Sequence, residues 1–488
     1  MSALIMLARV ILGLALLVFV HELGHFFAAK MFRVRVPKFY LFFNPGISIV
    51  RCKMVNGRLR FKFFSRNTSD MEAEKDEHGR PVLNEKGKPK HKLIDVNSLS
   101  ENDWRKYPET TEYGIGWLPL GGYCQMSGMI DETQSISNMP SEPQPWEYRS
   151  KPAWQRLIMV LGGVIVNLVV GVLLFAFVIG KYEKMYIPNE SVTDGIYAYQ
   201  AARDMGFKSG DKIISINGKK PSRFNDAISP KMYFGSIVTV EREGVAMDIV
   251  ISEDAYKMLK ESKGQLIECS NFPVIVDSIV ENKAAHLADI QKGDKILSIN
   301  DTIPVSWGAL REHLVHFSNQ QISMTCLRGE DTMRMELTPD SAGLIGINSA
   351  IPYQFIPYSF GESITYGWKD AMSNLSMNVK GLFKIVSGKE NARESLTGPV
   401  GIAQMYGGVW DWKRFWYLTA LLSVIFAFMN ILPVPGLDGG HAIFAFVEMI
   451  TGKKVSDKIL QHAQTVGMVL LLLLMAFVIG NDIFKLFR

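Results

Sequence analysis

The chain has 488 residues, enough for several domains, and 48% of them are hydrophobic. Its formal net charge of +5 is small for this length, and no block of Lys and Arg with interleaved aromatic residues occurs. These features argue against a nucleic-acid-binding protein. The four cysteines form no Cys-x-x-Cys pair, so they indicate neither a zinc ribbon nor a disulfide scaffold. The sequence leaves open whether Cys269 and Cys326 pair with each other.

Four segments are long and apolar enough to cross a bilayer, which takes about 20 residues. They run from about Ala3 to Val20, from Leu157 to Gly180, from about Phe415 to Leu432 and from about Thr465 to Gly480. A signal peptide is the alternative for the first segment, but Arg9 interrupts it and no small-residue cleavage site follows. The sequence therefore predicts a membrane protein with four transmembrane helices.

The basic residues after the first segment predict the orientation of the chain. Residues 31–66 contain nine Lys and Arg and no Asp or Glu. Because basic residues close to a span favour the cytoplasmic side, we expect residues 31–155 and 433–464 inside. Residues 181–413 and both termini are then outside.

Residues 67–110 form a polar insert rich in Gly, Pro, Asn and Lys, including the stretch DEHGRPVLNEKGKPKHK. Such a segment has few apolar side chains to bury. We therefore expect an exposed, partly flexible insert on the cytoplasmic side, without a predicted role.

An internal repeat lies in the long segment predicted to be outside. The stretch GDKIISING at 210–218 recurs as GDKILSIND at 293–301, each preceded by an Ala-Ala pair. In both copies a short strand should end in an Asn-Gly or Asn-Asp turn. The stretch resembles PDZ domains, so we interpret 188–256 and 268–342 as two PDZ-like α+β modules. Such modules bind extended peptides at a sheet edge; the alternative is that they act only as bulky shields.

The segment before the third span has apolar residues at helical spacing. They are Ile364, Trp368, Met372, Leu375, Val379, Leu382, Phe383 and Val386. Polar residues occupy the opposite face, which predicts an amphipathic helix on the outer membrane surface. The alternative is an ordinary helix packed on the PDZ-like modules.

The motif His21-Glu22-Leu23-Gly24-His25 stands at the end of the first apolar segment. On a helix, residues i and i+4 share a face, so both imidazoles can bind one zinc ion. Glu22 can then take a proton from water that zinc makes acidic enough to attack a carbonyl. Ionisable residues inside a membrane are costly and are functional by default.

A third protein ligand is expected, because zinc hydrolases keep the fourth position open. The stretch NILPVPGLDGGH at 430–441 follows the third apolar segment. Its prolines should break the helix, so that Asp438 can turn toward the metal. The first and third spans run in the same direction, so both motifs should lie near the cytoplasmic face. His441 is the rival ligand.

Together these motifs resemble the site-2 protease family of intramembrane zinc metalloproteases. The tandem PDZ-like modules match the bacterial regulator of sigma-E protease type of that family. Smaller matches are GVIVN at 163–167, GPVGIAQ at 398–404, and WLPLGGY at 117–123, which resembles the family's membrane-dipping β-segment. Val164 stands where the family often has Pro, and the 67–110 insert is longer than in the better-known members.

The resemblance implies that His21, His25 and Asp438 hold Zn²⁺ and that Glu22 is the base. Asn430 would hold the substrate backbone or stabilise the oxyanion.

The resemblance also implies a substrate-binding set. It comprises Asn167, Gly121, Gly122 and Tyr123. Asn167 would act in the same way as Asn430. Residues 117–123, which include the other three, would offer a strand edge to a substrate helix, which must unwind before its peptide bonds can be cut.

The predicted fold is a multi-domain membrane protein with four transmembrane α-helices, a membrane-associated β segment and two PDZ-like α+β domains. Its predicted parts are a first transmembrane helix with HExxH (1–30), a cytoplasmic and membrane-dipping β region (31–150) with the insert 67–110, a second transmembrane helix (151–182), the two PDZ-like modules (188–256 and 268–342), an amphipathic helix and loop (362–413), a third transmembrane helix with the LDGG motif (414–445) and a fourth transmembrane helix (465–484).

The implied function is proteolysis of single-span membrane proteins, such as anti-sigma factors or remnant signal peptides, in a bacterial inner membrane. The modules would be periplasmic and the active site near the cytoplasmic side, with the lipid bilayer as a partner and no nucleic acid. A non-proteolytic PDZ membrane scaffold and a metal transporter or chaperone are the alternatives. The set of base, three ligands and Asn disfavours a scaffold. A single HExxH site without a further chain of intramembrane His and Asp residues disfavours a transporter.

Overall fold

The computed structural model describes residues 2–67, 71–73, 91–119, 121–129, 143–227, 236–252, 266–304, 306–388 and 391–486. The chain divides into two compact units. The first consists of Met1–Val178 and Ile364–Arg488, and the second of Ile179–Ser363.

The described helices are α1 (Ser2–Met31), α2 (Ala153–Val178), α3 (Gln200–Asp204), α4 (Phe224–Ala227), α5 (Ala284–Leu287), α6 (Trp307–His316), α7 (Phe360–Val386), α8 (Ala392–Ser395), α9 (Pro399–Tyr406), α10 (Trp412–Ile431), α11 (Asp438–Thr451) and α12 (Asp457–Leu486). The described strands of the first unit are β1 (Lys38–Leu41), β2 (Phe43–Val55), β3 (Arg58–Arg66), β4 (Met71–Ala73), β5 (His91–Leu93), β6 (Glu112–Leu118) and β7 (Tyr123–Gln125). Those of the second unit are β8 (Met185–Tyr186), β9 (Tyr197–Ala198), β10 (Lys212–Ile216), β11 (Ile237–Arg242), β12 (Val245–Val250), β13 (Ile267–Glu268), β14 (Val276–Ile279), β15 (Lys295–Ile299), β16 (Ile322–Arg328), β17 (Asp331–Leu337), β18 (Ile347–Ser349) and β19 (Ile356–Pro357).

Within the described residues, four helices have the length and apolar composition needed to cross a membrane. They are Ala3–Met31, Ala153–Glu183, Trp412–Ile431 and Lys458–Lys485. The prediction of four such helices is confirmed. The first apolar run ends near Val20, but the helix that contains it runs from Ser2 to Met31, so HExxH lies inside the helix. Polar side chains end an apolar run, but they do not interrupt backbone hydrogen bonding, and residues 21–31 contain no proline.

The predicted third span at 414–445 is two helices in the structure. Helix α10 ends at Ile431, and α11 begins at Asp438. Pro433 and Pro435 lie in the break, as expected of residues that lack the N–H needed to continue a helix. The break makes Asp438 the first residue of a new helix.

The main sheet of the first unit has the strand order β3-β2-β6-β1-β7. Strand β6 lies inside the sheet, parallel to β1, and β7 lies at one edge, antiparallel to β1. The strand edge expected over 117–123 therefore needs correction. Trp117 and Leu118 belong to the internal strand β6, whereas Tyr123 belongs to β7, one of the two edge strands of this sheet.

The outer hairpin of this sheet has two different faces. On β3, Leu59, Phe61 and Phe63 are each more than half exposed, and they alternate with basic residues at 58, 60 and 62. The other face is covered by part of the insert. Trp104 is buried there, with the Arg51 guanidinium 5.2 Å and the Lys62 ammonium 4.6 Å from its ring centre. Trp104 is the one buried residue among 94–110, whereas residues 68–70 and 74–90 of the insert lie outside the described residues.

The second unit contains two hydrophobic cores, one for each copy of the sequence repeat. In each copy the Asp after the turn glycine is buried and accepts two hydrogen bonds from the Arg that ends the second strand after it. Asp211 accepts from Arg242 at the end of β11, and Asp294 accepts from Arg328 at the end of β16. Hydrogen bonds from the Arg328 guanidinium hold the pKa of the Asp294 carboxyl below its usual range.

The two cores also show where each copy ends, compared with the predicted module ends at residues 256 and 342. Leu266 and Ile267 pack in the first core, whereas Ile345 and Ile347 pack in the second. Each copy therefore extends beyond the predicted end. Cys326 belongs to the second core and Cys269 packs against the first. Both cysteines are free, so they do not form the disulfide that the sequence left open.

Helix α7 includes the predicted amphipathic helix, and small residues on it pack against α2. Gly367 lies against Ala176 of α2, and the fully buried Ala371 packs with Val172 and Phe175. The predicted apolar face includes Trp368, Phe383 and Val386, which are exposed. Small residues let helix backbones approach closely, so this helix packs on α2 within the first unit.

Candidate metal centre

Three side chains from distant parts of the chain meet inside the first unit. Helix α1 places His21 and His25 one turn apart on the same face, with their Nε2 atoms 3.2 Å apart. The Oδ2 atom of Asp438 lies 3.2 Å from Nε2 of His21 and 3.4 Å from Nε2 of His25. The structure therefore brings together the three predicted ligands.

The spacing and chemistry of these atoms fit a zinc ion. Ligand atoms about 2.0–2.1 Å from a tetrahedral zinc lie about 3.3 Å from each other, close to the three observed distances. Asp438 Oδ2 is buried and accepts no well-directed hydrogen bond, although it faces both imidazoles. Two imidazoles and one carboxylate leave a fourth position open, as in catalytic rather than structural zinc sites.

Close packing of α1 on α2 places α2 directly against the two histidine rings. A Cβ atom on Gly24 would collide with the backbone carbonyl of Gly162, and one on Gly163 would lie 2.5 Å from His25 Nε2. Because these positions lack side chains, α2 can reach the imidazoles. The His25 Nδ1–H donates to the carbonyl oxygen of Met159 at 2.9 Å, which leaves Nε2 for a metal.

Glu22 faces a cavity of about 200 Å³ next to the ligands. Its carboxylate accepts a hydrogen bond from the backbone N–H of Cys124 in β7. The cavity is also lined by Gly122, Tyr123 and Asn430, and the Asn430 amide nitrogen lies 3.4 Å from His21 Nε2. The predicted base, the three ligands and residues of the edge strand β7 thus share one cavity.

Two predicted substrate-binding residues are not among those that line the cavity. Gly121 precedes the lining segment, and Asn167 is fully buried with its amide nitrogen 3.2 Å from Nδ1 of His21. His441 does line the cavity, but its Nε2 faces the side chain of Gln464 instead of the ligand cluster.

Sequence reasoning missed the Met159 carbonyl, the Cys124 N–H and Gln464. The first two are backbone groups, which leave no mark in a sequence. The small residues at 24, 162 and 163 were the available signal, because they indicate a close helix crossing.

Apolar helices around a His-Glu-x-x-His motif and an aspartate define a membrane zinc metalloprotease. The chain belongs to Peptidase family M50, whose sequence profile matches residues 9–72 and 99–474. It is 25% identical over 519 aligned positions to the regulator of sigma E protease of Haemophilus influenzae. It is 24% identical over 525 positions to protease RseP of Yersinia pestis. Both alignments cover 100% of this chain and of the relative.

Proposed function

We propose that this protein is an intramembrane endopeptidase that cuts single-span membrane proteins in regulated intramembrane proteolysis. The observation that carries the proposal is the shared cavity, in which Glu22, the ligand cluster and the edge strand β7 meet. Hydrolysis of a peptide bond requires water, and a substrate that unwinds inside a bilayer also requires hydrogen-bond partners for its freed backbone groups.

His21, His25 and Asp438 would hold the zinc ion. When bound there, zinc activates water near neutral pH and polarises a peptide carbonyl. Glu22 takes the proton from the attacking water and passes it to the leaving amine, as a carboxylate general base does. Asn430 directs its amide N–H toward the carbonyl oxygen of the scissile bond and stabilises the charge that develops there.

Strand β7 would hold the unwound substrate in an extended conformation, because it lies at an edge of the sheet. Tyr40 lies opposite Tyr123 and Lys38 opposite Gln125, so β7 joins the sheet through β1. A substrate strand at this edge satisfies its freed backbone groups, which would otherwise cost several kcal/mol each in hydrocarbon. Gly122 and Tyr123 keep their proposed role in this model of binding, and Gly121 contributes only as their neighbour.

Mapping the products tests this proposal. A purified, zinc-loaded chain in detergent should cut a single-span membrane peptide, and mass spectrometry should find both new ends within the apolar span. Cleavage only in the soluble flanks of the peptide would contradict an intramembrane site. Anti-sigma factors and remnant signal peptides are the proposed substrate classes.

We propose a bacterial inner-membrane location with residues 31–155 cytoplasmic and residues 181–413 periplasmic. In a background without reactive native cysteines, a cysteine replacing the exposed Lys220 should react with a membrane-impermeant thiol reagent in intact cells. A cysteine replacing the exposed Asn97 should react only after lysis. The opposite labelling would invert the topology.

The two repeat copies are proposed to be PDZ modules that control access. In the second unit, a groove of about 740 Å³ is walled by α6 and residues 342–348, next to Tyr199. A groove between a helix and a strand suits an extended peptide, which supports recruitment as the rival to simple shielding.

Deleting residues 188–342 with a short flexible linker separates these two roles. If the modules act as a gate, untrimmed substrates that carry a folded outer domain become cleavable, and trimmed ones are cut at a similar rate. If they recruit a new terminus, the deletion abolishes cleavage of trimmed substrates while the chain still binds zinc.

A further inference from the structure

One stripe of α2 faces both metal-binding histidines. Met159, Gly163 and Asn167 are spaced four residues apart, so they lie on one side of the helix. The Met159 carbonyl accepts from Nδ1 of His25, Gly163 leaves room for both rings, and the Asn167 side chain reaches Nδ1 of His21. Each imidazole therefore has an α2 partner on the nitrogen that does not face Asp438.

The two α2 partners differ in whether they accept or donate a hydrogen bond at the histidine nitrogen. A histidine that binds a metal through Nε2 carries its proton on Nδ1, and that proton needs an acceptor. The Met159 carbonyl is such an acceptor for His25. In contrast, the Asn167 atom that faces Nδ1 of His21 is the amide nitrogen, which is a donor.

A half-turn of the Asn167 amide supplies the missing acceptor. The oxygen and nitrogen of an amide have nearly the same shape, so a 180° rotation exchanges them within the same space. Among the described residues, Asn167 Oδ1 has no hydrogen-bond partner. Rotation therefore breaks no hydrogen bond to the oxygen and gives it one to Nδ1–H.

We propose that Asn167 is a positioning residue for His21, with Oδ1 accepting from Nδ1–H when Nε2 binds the metal. The amide then holds the proton on Nδ1 and keeps the plane of the ring directed at the metal. The inference rests on the zinc site of the proposed function, but not on any substrate.

The burial of Asn167 argues against the substrate-binding role implied by the family resemblance. Its side chain is fully buried and does not line the cavity that holds Glu22 and Asn430. The backbone around it is held separately, because Ser423 Oγ donates to the Asn167 carbonyl at 2.7 Å. A variant of Ser423 thus tests the packing of this residue while leaving its amide in place.

The test compares zinc affinity in the full-length chain, measured by competition with a chelator. Asn167→Ala should weaken zinc binding by about 10- to 100-fold, the usual effect of losing a partner of a metal-binding histidine. Asn167→Asp should retain parental or tighter binding, because a carboxylate also accepts from Nδ1–H. Ser423→Ala should bind zinc like the parent. Thermal unfolding of the zinc-free variants shows whether each one is folded.

A second measurement follows the proton itself. A hydrogen-bonded imidazole N–H is shielded from exchange with water, so zinc-loaded parent should give a proton NMR signal from His21 Nδ1–H. Asn167→Ala should lose this signal and keep that of His25.

Three results would overturn the proposal. Parental zinc affinity in Asn167→Ala would do so, as would equal losses in Asn167→Asp and Asn167→Ala. Equal losses in Ser423→Ala and Asn167→Ala would assign the effect to helix packing. If the affinities follow the predicted order but no membrane peptide is cut, the proposed function fails and the role of Asn167 stands.

Discussion

At the scale of single residues, the side chains that would bind the metal differ from the one that would take the proton from water. His21, His25 and Asp438 converge on one point with their ligand atoms, whereas Glu22 faces the cavity beside them. Removing a ligand and removing the base should therefore have different consequences.

Glu22→Gln should keep zinc and lose turnover, because the amide cannot take a proton from water while all three ligands remain. We expect cleavage to fall by about 100-fold or more. Zinc content per chain and the initial cleavage rate are the two measurements. Glu330→Gln, at an exposed position in the second unit, is the matched control. Parental cleavage by Glu22→Gln would show that another group is the base.

Asp438→Ala should lose zinc, whereas His441→Ala should retain it. Asp438 Oδ2 is within 3.4 Å of both imidazole nitrogens, but His441 faces Gln464. Metal content after dialysis against a mild chelator checks the difference. The reverse order would make His441 the third ligand.

The sequence predicted the metal-binding residues of the centre better than the groups that surround them. The spacing of His21 and His25 and the prolines before Asp438 are sequence patterns with direct geometric consequences. The role of Asn167 could not be predicted in this way. Its type suits both a substrate donor and a histidine partner, and only burial and distance separate the two.

At the scale of elements, the crossing of α1 and α2 sets the position of the centre. Gly24→Ala would force the helices apart, because the new Cβ would meet the backbone of Gly162. We expect weaker zinc binding and lower thermal stability in the full-length chain. Both can be measured in detergent on the same sample.

The matched control is Gly381→Ala in α7, where an added Cβ meets nothing within 4 Å. It should be neutral or stabilise the chain by about 0.5–1 kcal/mol, because Gly is less favourable than Ala inside a helix. If Gly24→Ala binds zinc as tightly as Gly381→Ala does, close packing of these helices is not needed for the site.

The sequence predicted which elements exist more reliably than which face of each is buried. Long apolar runs correctly marked the four candidate spans. For α7, the predicted apolar face is exposed and is available to lipid, whereas the contact with α2 through small residues such as Gly367 and Ala371 was not predicted. Strand order had no local signal either, so the internal position of β6 emerged only from the structure.

At the scale of the whole molecule, the site is assembled from residues that are far apart in the sequence. His25 and Asp438 are 413 positions apart, yet they share one cavity because α1 and the α10–α11 break meet beside α2. The parity of the spans predicted this meeting without any pairwise contact information. The boundaries of the two repeat copies were less predictable, since the strands at 267–268 and 347–349 complete cores from outside the repeated motif.

The most direct test measures cleavage of a single-span membrane peptide as a function of zinc bound to the purified chain. Chelation should abolish cleavage, and activity should return in proportion to zinc up to one ion per chain. Glu22→Gln loaded to the same zinc content should remain inactive. A zinc-free chain that still cuts the peptide at the parental rate would contradict the assignment of this cavity as the active site.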